Sequence, residues 1–423
     1  MTYFGMLCPA ASGHLNPMTT LGHELWCRGH RVTLVGIADG RAAAEAAGLA
    51  FQSIGAESYP AGATRETLAR IGELSGLGAF RATIRHLQAS TQMLLREAPK
   101  ALRAAGAEAL LIDQVSFAGP TIAEVLDLPF VSVCCALMLN RDPVVPPLNT
   151  GWAYSPSRRA RLRNELGHEL IARLTAPITR VIVDHRAAAG LPPVPRGADP
   201  YSRLAQISQQ PAEFEFPRRS LPACFHFCGP FADPASRPPA PFPWERLSGQ
   251  PLIYASLGTI QNRLLGLFET IAAACRDLDV QLVIALGGGC VPEDLPPLPG
   301  DPLVVGFAPQ LELLRRAALT ITYAGMITVL ESLAEGVPMV AIPIANDQPG
   351  VGARLAWSGS GAVVPLKRLP AARLRAAIER VLQEDSYRAE ALRLQAAIRR
   401  AGGVSRAADV VERAVASGQP VLR

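Results

Sequence analysis

The chain has 423 residues and a net charge of +5, with 49% hydrophobic, 18% charged and 6% aromatic residues. This apolar content suffices for two or three folded domains and excludes extended disorder. The positive charge is almost entirely arginine, and no long basic run alternates with aromatic residues. We therefore expect no nucleic-acid-binding groove.

The first third of the chain alternates short apolar strands with helices, which predicts a doubly wound parallel α/β sheet. It begins directly with a strand, without a basic leader or a cleavage site, and no apolar run is long enough to cross a membrane. A soluble cytoplasmic protein is expected. The predicted elements are a strand at Phe4 to Cys8, a turn at Ala10 to Pro17, a helix from about Met18 to Arg28, and strands at Arg31 to Gly36, Ala109 to Ile112 and Phe130 to Cys134.

The middle of the chain, from Arg141 to Gly197, has a different character. It opens with the proline-rich stretch DPVVPPLNTGWAYSP, which predicts an irregular loop, and continues as a helix from about Arg159 to Ala188. We expect this region to wall a pocket. Its arginine-rich start, Ser157 to Arg163, favours a solvated helix face, with peripheral contact with a membrane as the alternative.

A stiff linker then precedes a second α/β half. The segment from Ala232 to Gln250 contains five prolines, which prevent regular structure. The expected domains are 1–215, a linker at 216–250, a second Rossmann-like domain at 251–400 and a helical tail at 401–423. Predicted strands of the second half are Leu252 to Ala255, Gln281 to Leu286, Leu303 to Val305, Thr320 to Thr322 and Val340 to Ile342.

Cofactor and metal motifs are weak in this sequence. Neither half carries GxGxxG after its first strand, so a nicotinamide or flavin role has little support. Cys224 and Cys228 flank a short apolar run, but no second Cys/His pair has matching spacing. We predict no metal site and interpret the eight cysteines as buried thiols in a reducing compartment.

Two polar residues follow strands of the first half. His14 comes after the first strand in Gly13-His14-Leu15-Asn16-Pro17, and Asp113 ends the strand at Ala109 to Ile112. Ligands bind at the carboxyl ends of such strands, and histidine is suited to general-base work near neutrality. A loop histidine and a helix-capping aspartate are the alternatives that the residues alone leave open.

The stretch from 307 to 350 carries the strongest signal. An apolar strand ends in a turn at Gly325, a helix follows with Val329, Leu330 and Leu333 on its buried face, and the next strand leads to Asn346-Asp347-Gln348. A glycine turn before a helix N-terminus favours anion binding, because free N–H groups and the helix dipole point at the turn.

This stretch resembles the nucleotide-sugar donor motif of the family 1 glycosyltransferases. The first-half pieces LCPAASGHLNPMTTLGHELWCRGHRVTLVG and LNRDPVVPPLNTGW are similar to the bacterial zeaxanthin glucosyltransferase type of that family. The resemblance implies a GT-B fold, in which two Rossmann-like α/β domains face each other across a cleft. It also implies an inverting sugar transfer with a UDP- or TDP-sugar co-substrate, an apolar small-molecule acceptor, no bound cofactor and no metal.

The resemblance also implies roles for individual residues. His14 would deprotonate the acceptor hydroxyl, and Asp113 would orient and stabilise the imidazole. The residues at the donor positions of the family motif are Ser256, Gly258 and Thr259 near the phosphates, Phe307 on the base, Gln310 on the base or ribose, Glu331 on the ribose, Gly325 and Thr328 on the diphosphate, with Tyr323 also facing it, and Asp347 and Gln348 on the sugar.

Two positions depart from the family pattern. Members usually have histidine at the position of Tyr323 and often asparagine at that of Ile327, and both face the diphosphate. Each lost hydrogen bond to a charged group costs about 1.5–3 kcal/mol. Three hypotheses follow: a sugar transferase with an altered donor site, a repurposed fold in which His14 and Asp113 perform sugar-independent acid/base chemistry, and a non-catalytic binding or activating partner.

Overall fold

Two parallel sheets, each covered by helices on both faces, form the protein. A computed structural model describes residues 1–194, 199–232, 240–259, 264–288, 290–367 and 369–423. Each sheet has the alternating βα connectivity of a Rossmann-like domain, which confirms the predicted α/β fold class with two doubly wound halves. No helix among these residues has the length and apolarity needed to span a bilayer.

The first sheet has seven strands in the order β3-β2-β1-β4-β5-β6-β7, all parallel. Its strands are β1 (Tyr3–Leu7), β2 (Arg31–Gly36), β3 (Ala50–Ser53), β4 (Ala109–Asp113), β5 (Phe130–Cys134), β6 (Gln206–Ser208) and β7 (Phe225–Phe227). The helices of this half are α1 (Ser12–Cys27), α2 (Arg41–Ala46), α3 (Ala63–Gly72), α4 (Gly76–Ala104), α5 (Gly119–Leu126) and α6 (Arg158–Ala188).

The second sheet has six parallel strands in the order β10-β9-β8-β11-β12-β13. Its strands are β8 (Leu252–Ser256), β9 (Gln281–Ala285), β10 (Leu303–Val305), β11 (Ala317–Thr322), β12 (Met339–Ala341) and β13 (Gly361–Val363). The helices are α7 (Leu265–Cys275), α8 (Gln310–Leu314), α9 (Met326–Ala334), α10 (Gln348–Trp357), α11 (Ala371–Gln383), α12 (Asp385–Ala401) and α13 (Gly403–Ser417).

The central strands of both sheets are buried on both faces. All residues of β4 and β8 are buried, as are four of the five in β1. Parallel strands covered by helices on both sides favour such continuous apolar runs, which is why these segments are clear in the sequence. The order of strands reverses beside β1 and β4 in the first sheet and beside β8 and β11 in the second. Crevices for ligands form at these two switch points.

The first βα connection is shorter than predicted. The sequence pattern predicts a turn at Ala10 to Pro17, but α1 begins at Ser12, and the Leu15 N–H donates to the Ala11 carbonyl at 2.8 Å. Pro17 therefore lies inside the helix, where it removes one backbone hydrogen bond. Burial of Leu15, Met18 and other apolar residues along this helix offsets that loss. His14 consequently lies on the first turn of a helix.

The chain crosses between the halves near both ends of the second domain. Strand β7 lies within the range 216–250, which the sequence analysis assigned to the linker, and it pairs with β6. The predicted helical tail, 401–423, contains α13, which packs against α1 of the first domain. Arg28, directly after α1, reaches Asp409 at 2.6 Å and Glu412 at 2.8 Å. Residues 233–239 of the predicted linker lie outside the described residues.

A buried ion pair joins the two domains. Arg354 of α10 contacts the Glu215 carboxylate at 2.6 Å through Nη2 and at 2.9 Å through Nε, and Arg218 adds a contact of 3.1 Å. The Arg354 guanidinium also stacks over the Phe216 ring, 4.5 Å from its centroid. Charges this deep are tolerated only when they are paired and hydrogen-bonded. This pair therefore fixes α10 to the segment that follows β6.

The two arginines change the acidity of Glu215. Burial alone would raise the pKa of Glu215, but the charges of Arg354 and Arg218 lower it to about 2, from an ordinary value of 4.5. Because the pKa is lowered in the folded state, the stabilisation is fully present above pH 4.5. It is lost as the pH falls towards 2.

We predict that Glu215→Gln lowers the free energy of unfolding by about 3–5 kcal/mol, because it leaves two buried guanidinium groups without a countercharge. Urea denaturation followed by circular dichroism measures the change. The matched control is Glu213→Gln, since Glu213 pairs with Arg400 at 3.1 Å on the surface. That pair is expected to contribute less than about 1 kcal/mol. Equal effects of the two variants would contradict the assignment.

Candidate active site

The carboxyl ends of both sheets line one large cavity. Its volume is about 2020 Å³, and its wall includes His14 and Asp113 from the first domain and Tyr323 and Asp347 from the second. Apolar side chains from α3, α4, α6 and the loop after β5 form much of the remaining wall. The cavity thus combines a small polar group with a long apolar surface, the usual composition of a small-molecule site.

His14 and Asp113 form a hydrogen-bonded pair in this cavity. His14 Nδ1 lies 2.7 Å from Asp113 Oδ2, and the other carboxylate oxygen, Oδ1, accepts the N–H of Val115 at 3.0 Å. Asp113 is buried, whereas the His14 side chain is 21% exposed. Since Nδ1 is engaged with the carboxylate, Nε2 is the ring nitrogen left to meet a ligand in the cavity. The pair has the geometry of a general base with its orienting carboxylate.

The surrounding charges make His14 more basic. Burial alone would lower the pKa of His14, but the charge of Asp113 and the hydrogen bond to it raise this pKa above its ordinary value, with a further contribution from Asp347. Burial also raises the pKa of Asp347, and the charge of His14 partly offsets this rise. These two residues come from different domains, so the site is electrostatically complete only when the domains face each other.

A thiol accompanies the pair. One ligand atom each from His14, Asp113 and Cys135 lie within 4.8 Å of one another. These residue types can hold zinc, but here Nδ1 and Oδ2 already share a hydrogen bond. Burial raises the pKa of the Cys135 thiol well above its ordinary value, and the charge of Asp113 raises it further. The thiol is therefore protonated near neutral pH.

Tyr323 occupies the space between two glycine turns. Its ring lies against Gly258, which follows β8, and against Gly325, which precedes α9, and a Cβ atom at either glycine would collide with it. Burial raises the pKa of the Tyr323 hydroxyl, and the nearby charge of Asp347 raises it further. The hydroxyl is thus a protonated hydrogen-bond donor at neutral pH. Ala324, between Tyr323 and Gly325, has a positive φ of 66°, an unfavourable conformation for a residue with a side chain.

The helix that follows this turn has an open N-terminus. No side chain caps α9, and its first backbone hydrogen bond runs from the Val329 N–H to the Gly325 carbonyl at 3.0 Å. The N–H groups of the first helical turn have no partner within the helix, and together with the helix dipole they favour an anion. Ile327 and Thr328, in this turn, are half-buried and buried respectively.

A second group of predicted donor residues forms a hydrogen-bonded chain. Gln310 Nε2 donates to Glu331 Oε2 at 2.6 Å, and the Tyr254 hydroxyl donates to Gln310 Oε1 at 3.1 Å. Phe307 is 61% exposed, and its ring lies against Gly288. Sequence reasoning missed Tyr254, because a tyrosine within an apolar strand has no signal other than packing. The sequence also predicts that the glycine run Gly287 to Gly289, which follows the strand at Gln281 to Leu286, lets the backbone approach a ligand, but Gly289 lies outside the described residues.

The polar loop before α10 uses part of its hydrogen-bonding capacity internally. Gln348 Oε1 accepts the N–H groups of Ile344 at 2.8 Å and Ala345 at 2.9 Å, which fixes the loop. The backbone carbonyl of Asn346 accepts Asn149 Nδ2 from the first domain at 3.2 Å. Asp347 and Gln348 both line the cavity.

The predicted donor residues therefore fall into two groups. Tyr323, Gly325, Asp347 and Gln348 line the cavity with His14 and Asp113. The remaining predicted donor residues do not line the cavity. They are Ser256, Gly258, Thr259, Phe307, Gln310, Thr328 and Glu331. Two of them form the glycine turn after β8, where Ser256 Oγ accepts the Gly258 N–H at 3.3 Å. Tyr323 borders both groups, since it lines the cavity and also covers Gly258.

Comparisons with known proteins identify the family of this chain. The family model described as UDP-glucoronosyl and UDP-glucosyl transferase matches residues 202–401. The zeaxanthin glucosyltransferase of Pantoea ananas is 36% identical, over 100% of this chain and 98% of the relative. The zeaxanthin glucosyltransferase of Pseudescherichia vulneris is 33% identical over 100% of both chains. These similarities confirm the resemblance found in the motifs.

Solved structures share the fold over nearly the full length. The glycotransferase of kitacinnamycin superposes with a TM-score of 0.75 at 22% identity, covering 98% of this chain and 99% of that one. CalG4, the calicheamicin glycosyltransferase, superposes with a TM-score of 0.72 at 26% identity, covering 99% and 100%. With full-length relatives above 30% identity, the chain belongs to the UDP-glucoronosyl and UDP-glucosyl transferase family.

Proposed function

We propose that this protein transfers a sugar from a UDP- or TDP-sugar to a hydroxyl group of an apolar natural product, with inversion at the anomeric carbon. The observation that carries the proposal is the hydrogen-bonded pair of His14 and Asp113, which opens into a large apolar cavity opposite Asp347. Carotenoids suit the cavity in size and polarity, and the relatives from Pantoea ananas and Pseudescherichia vulneris are named for zeaxanthin.

The acceptor is activated at His14 in this proposal. Nε2 removes the proton from the acceptor hydroxyl as its oxygen forms a bond to the anomeric carbon of the donor sugar. Asp113 holds Nδ1–H and stabilises the imidazolium that results, as the carboxylate of a catalytic triad does. The bond between the anomeric carbon and the diphosphate oxygen breaks in the same step, and its electron pair leaves with the nucleoside diphosphate.

The second domain provides the groups for the donor. The N–H groups at the start of α9 and the Tyr323 hydroxyl both lie at the Gly325 turn. We propose that they bind the diphosphate together. Asp347 and Gln348 line the cavity and are proposed to bind the sugar hydroxyls. Phe307 offers an exposed ring for the base, and Glu331 offers a carboxylate for the ribose hydroxyls, next to Gln310.

One observation favours a second candidate function. The Tyr323 ring lies over both glycine turns and fills space at the start of α9 that a diphosphate needs. If the ring stays there, His14 and Asp113 would serve sugar-independent acid/base chemistry, such as isomerisation or dehydration of a natural-product intermediate. A nucleotide that binds beside Tyr323 separates the two candidates, because only the transferase requires it.

We predict sugar transfer when the protein is incubated with UDP-glucose or TDP-glucose and a hydroxylated carotenoid. Mass spectrometry is expected to detect a product heavier by one hexose residue, and the anomeric proton coupling is expected to report a β-linkage from an α-linked donor. No transfer from a panel of UDP- and TDP-sugars to hydroxylated acceptors, by protein shown to be folded, would refute the proposal. A retained α-linkage would refute the single displacement.

We predict that His14→Ala lowers kcat by roughly 10²–10⁴-fold, the usual contribution of a general base. The matched control is His86→Ala, since His86 also lines the cavity but packs against Tyr59 and has its pKa lowered by burial. Its activity is expected to stay within a few-fold of the wild type. Equal losses in both variants would show that removing any cavity histidine has the same effect.

The pH dependence provides a second test of the pair. A general base acts when it is neutral, so the rate is expected to rise with pH through the pKa of His14, which lies above its ordinary value of 6.5. Asp113→Asn removes the charge that raises this pKa, so the acid limb of the kcat/KM profile is expected to move to lower pH while the plateau falls. An acid limb that stays in place would contradict the role of Asp113.

We predict that Tyr323→Phe weakens use of the donor by roughly 10-fold or more in kcat/KM, because a hydrogen bond to a charged group contributes about 1.5–3 kcal/mol. Tyr323→His, which restores the residue usual in the family, is expected to keep or improve it. Tyr154→Phe is the control, because Tyr154 stacks on Phe216, 5.4 Å away, outside the cavity wall. A Tyr323→Phe variant as active as the wild type would mean that the hydroxyl does not contact the donor.

A further inference from the structure

Helix α6 carries a stripe of exposed leucines on its outer face. Leu162, Leu166 and Leu170 are 59%, 65% and 57% exposed. Residues four apart lie on one face of a helix, so the three side chains form a continuous apolar row. Single exposed leucines are common on protein surfaces, but a contiguous row marks a contact surface.

Unbalanced positive charge surrounds this row. Between Ser157 and Arg173 the chain has five arginines and two glutamates. Both glutamates are already paired: Glu165 contacts Arg161 at 3.0 Å, and Glu169 contacts Arg141 at 3.4 Å. Arg158, Arg159 and Arg173 are exposed, and the ion pairs of the described residues include none of them. The row thus lies within a positively charged surface.

A tryptophan lies beside the leucines. Trp152 and the row enclose a shallow groove of about 460 Å³, whose wall also includes Arg159 and Arg163. Arg163 stacks over the Trp152 ring, 4.8 Å from its centroid. Tryptophan rings and arginine side chains with exposed guanidinium groups are the residues that anchor proteins at the boundary between lipid headgroups and acyl chains.

The opposite side of the same helix faces the acceptor cavity. Ile171, Thr175, Ile178 and Ile182 line the large cavity that contains His14. One helix therefore carries the outer apolar row near its start and part of the inner apolar wall further along. An apolar ligand that leaves a bilayer next to the leucine row would emerge beside the helix that forms this wall.

We propose that the outer face of α6, defined by Leu162, Leu166, Leu170 and Trp152 with the flanking arginines, docks on the surface of a lipid bilayer that contains anionic lipids. The leucines enter the boundary between headgroups and acyl chains, and Arg158, Arg159 and Arg173 contact lipid phosphates. An amphipathic helix with an arginine-rich border binds in this manner, and each cation strengthens binding to anionic lipid. Charge complementarity favours this occupant over a second copy, which would bring two positive surfaces together.

Vesicle sedimentation of the full chain tests the docking. We expect binding to vesicles of phosphatidylcholine and phosphatidylglycerol, weaker binding to pure phosphatidylcholine, and loss of the difference at high salt. Leu166→Glu is expected to lower the partition coefficient at least roughly tenfold, since it replaces an inserted leucine with a charge. Arg158→Gln with Arg159→Gln is expected to lower the partition coefficient roughly thirtyfold on anionic vesicles only.

The control is Leu422→Glu, because Leu422 is 64% exposed near the chain terminus and outside this surface. It is expected to bind vesicles like the wild type. Equal binding by all variants, or no binding by the wild-type protein, would overturn the proposal. A third outcome is that the wild type does not bind vesicles but Leu166→Glu changes the oligomeric state measured by light scattering. That outcome would assign the surface to a second copy and would also overturn the proposal.

Delivery of the acceptor through this surface rests on the proposed function, whereas the docking does not. With acceptor supplied in anionic vesicles, Leu166→Glu is expected to raise the apparent KM several-fold, and with a short water-soluble acceptor it is expected to leave kcat/KM unchanged. Vesicle binding without any sugar transfer would reject the transferase and keep the docking surface. Transfer with an unchanged KM in vesicles would reject delivery.

Discussion

The site depends on the buried ion pair that holds the two sheets face to face. Arg354 lies in α10, the helix that begins at Gln348 directly after Asp347, and its guanidinium is bound by Glu215 of the first domain. Helix α10 therefore begins at the last residue of the polar loop and also makes the interdomain contact. Because a buried arginine without its carboxylate is costly, this arrangement allows little variation in the distance between the domains.

That constraint explains the chemistry of the cavity. His14 and Asp113 follow neighbouring strands of the first sheet, and Asp347 follows a strand of the second. The pKa of His14 rises because carboxylates approach it from both sides. A base whose pKa lies near the working pH combines sufficient basicity with a useful fraction of neutral imidazole. In the proposed reaction, the leaving group would meet the uncapped start of α9 and the Tyr323 hydroxyl, which offer hydrogen bonds without a full positive charge.

The sequence was sufficient to predict the elements whose pattern is local. Central strands such as β4 and β8 are continuous apolar runs, and the glycine turn before α9 is visible from Gly325. The pairing of His14 with Asp113 was expected, because both follow strands of one parallel sheet. The roles assigned to the donor residues rest on the family motif and remain predictions.

Features that depend on packing between distant parts of the chain could not be predicted from the sequence. Strand β6 has polar residues at both ends and β13 begins with glycine, so neither shows the apolar run that made the equally short β10 and β12 recognisable. The return of α13 to the first domain and the contact between Glu215 and Arg354 join residues far apart in the chain, and no local pattern encodes them. The start of α1 at Ser12 was missed because Pro17 suggested a turn, whereas burial of the helix offsets its missing N–H.

The proposed sugar transfer requires a donor site that accepts a nucleoside diphosphate although the Tyr323 ring lies against both glycine turns. Calorimetric titration of the protein with UDP, and then with TDP, tests this most directly. We expect at least one of them to bind at micromolar concentration, with Tyr323 moving aside or donating its hydroxyl to the diphosphate. No binding at millimolar nucleotide, by protein shown to be folded, would contradict it and would leave His14 and Asp113 to chemistry without a sugar donor.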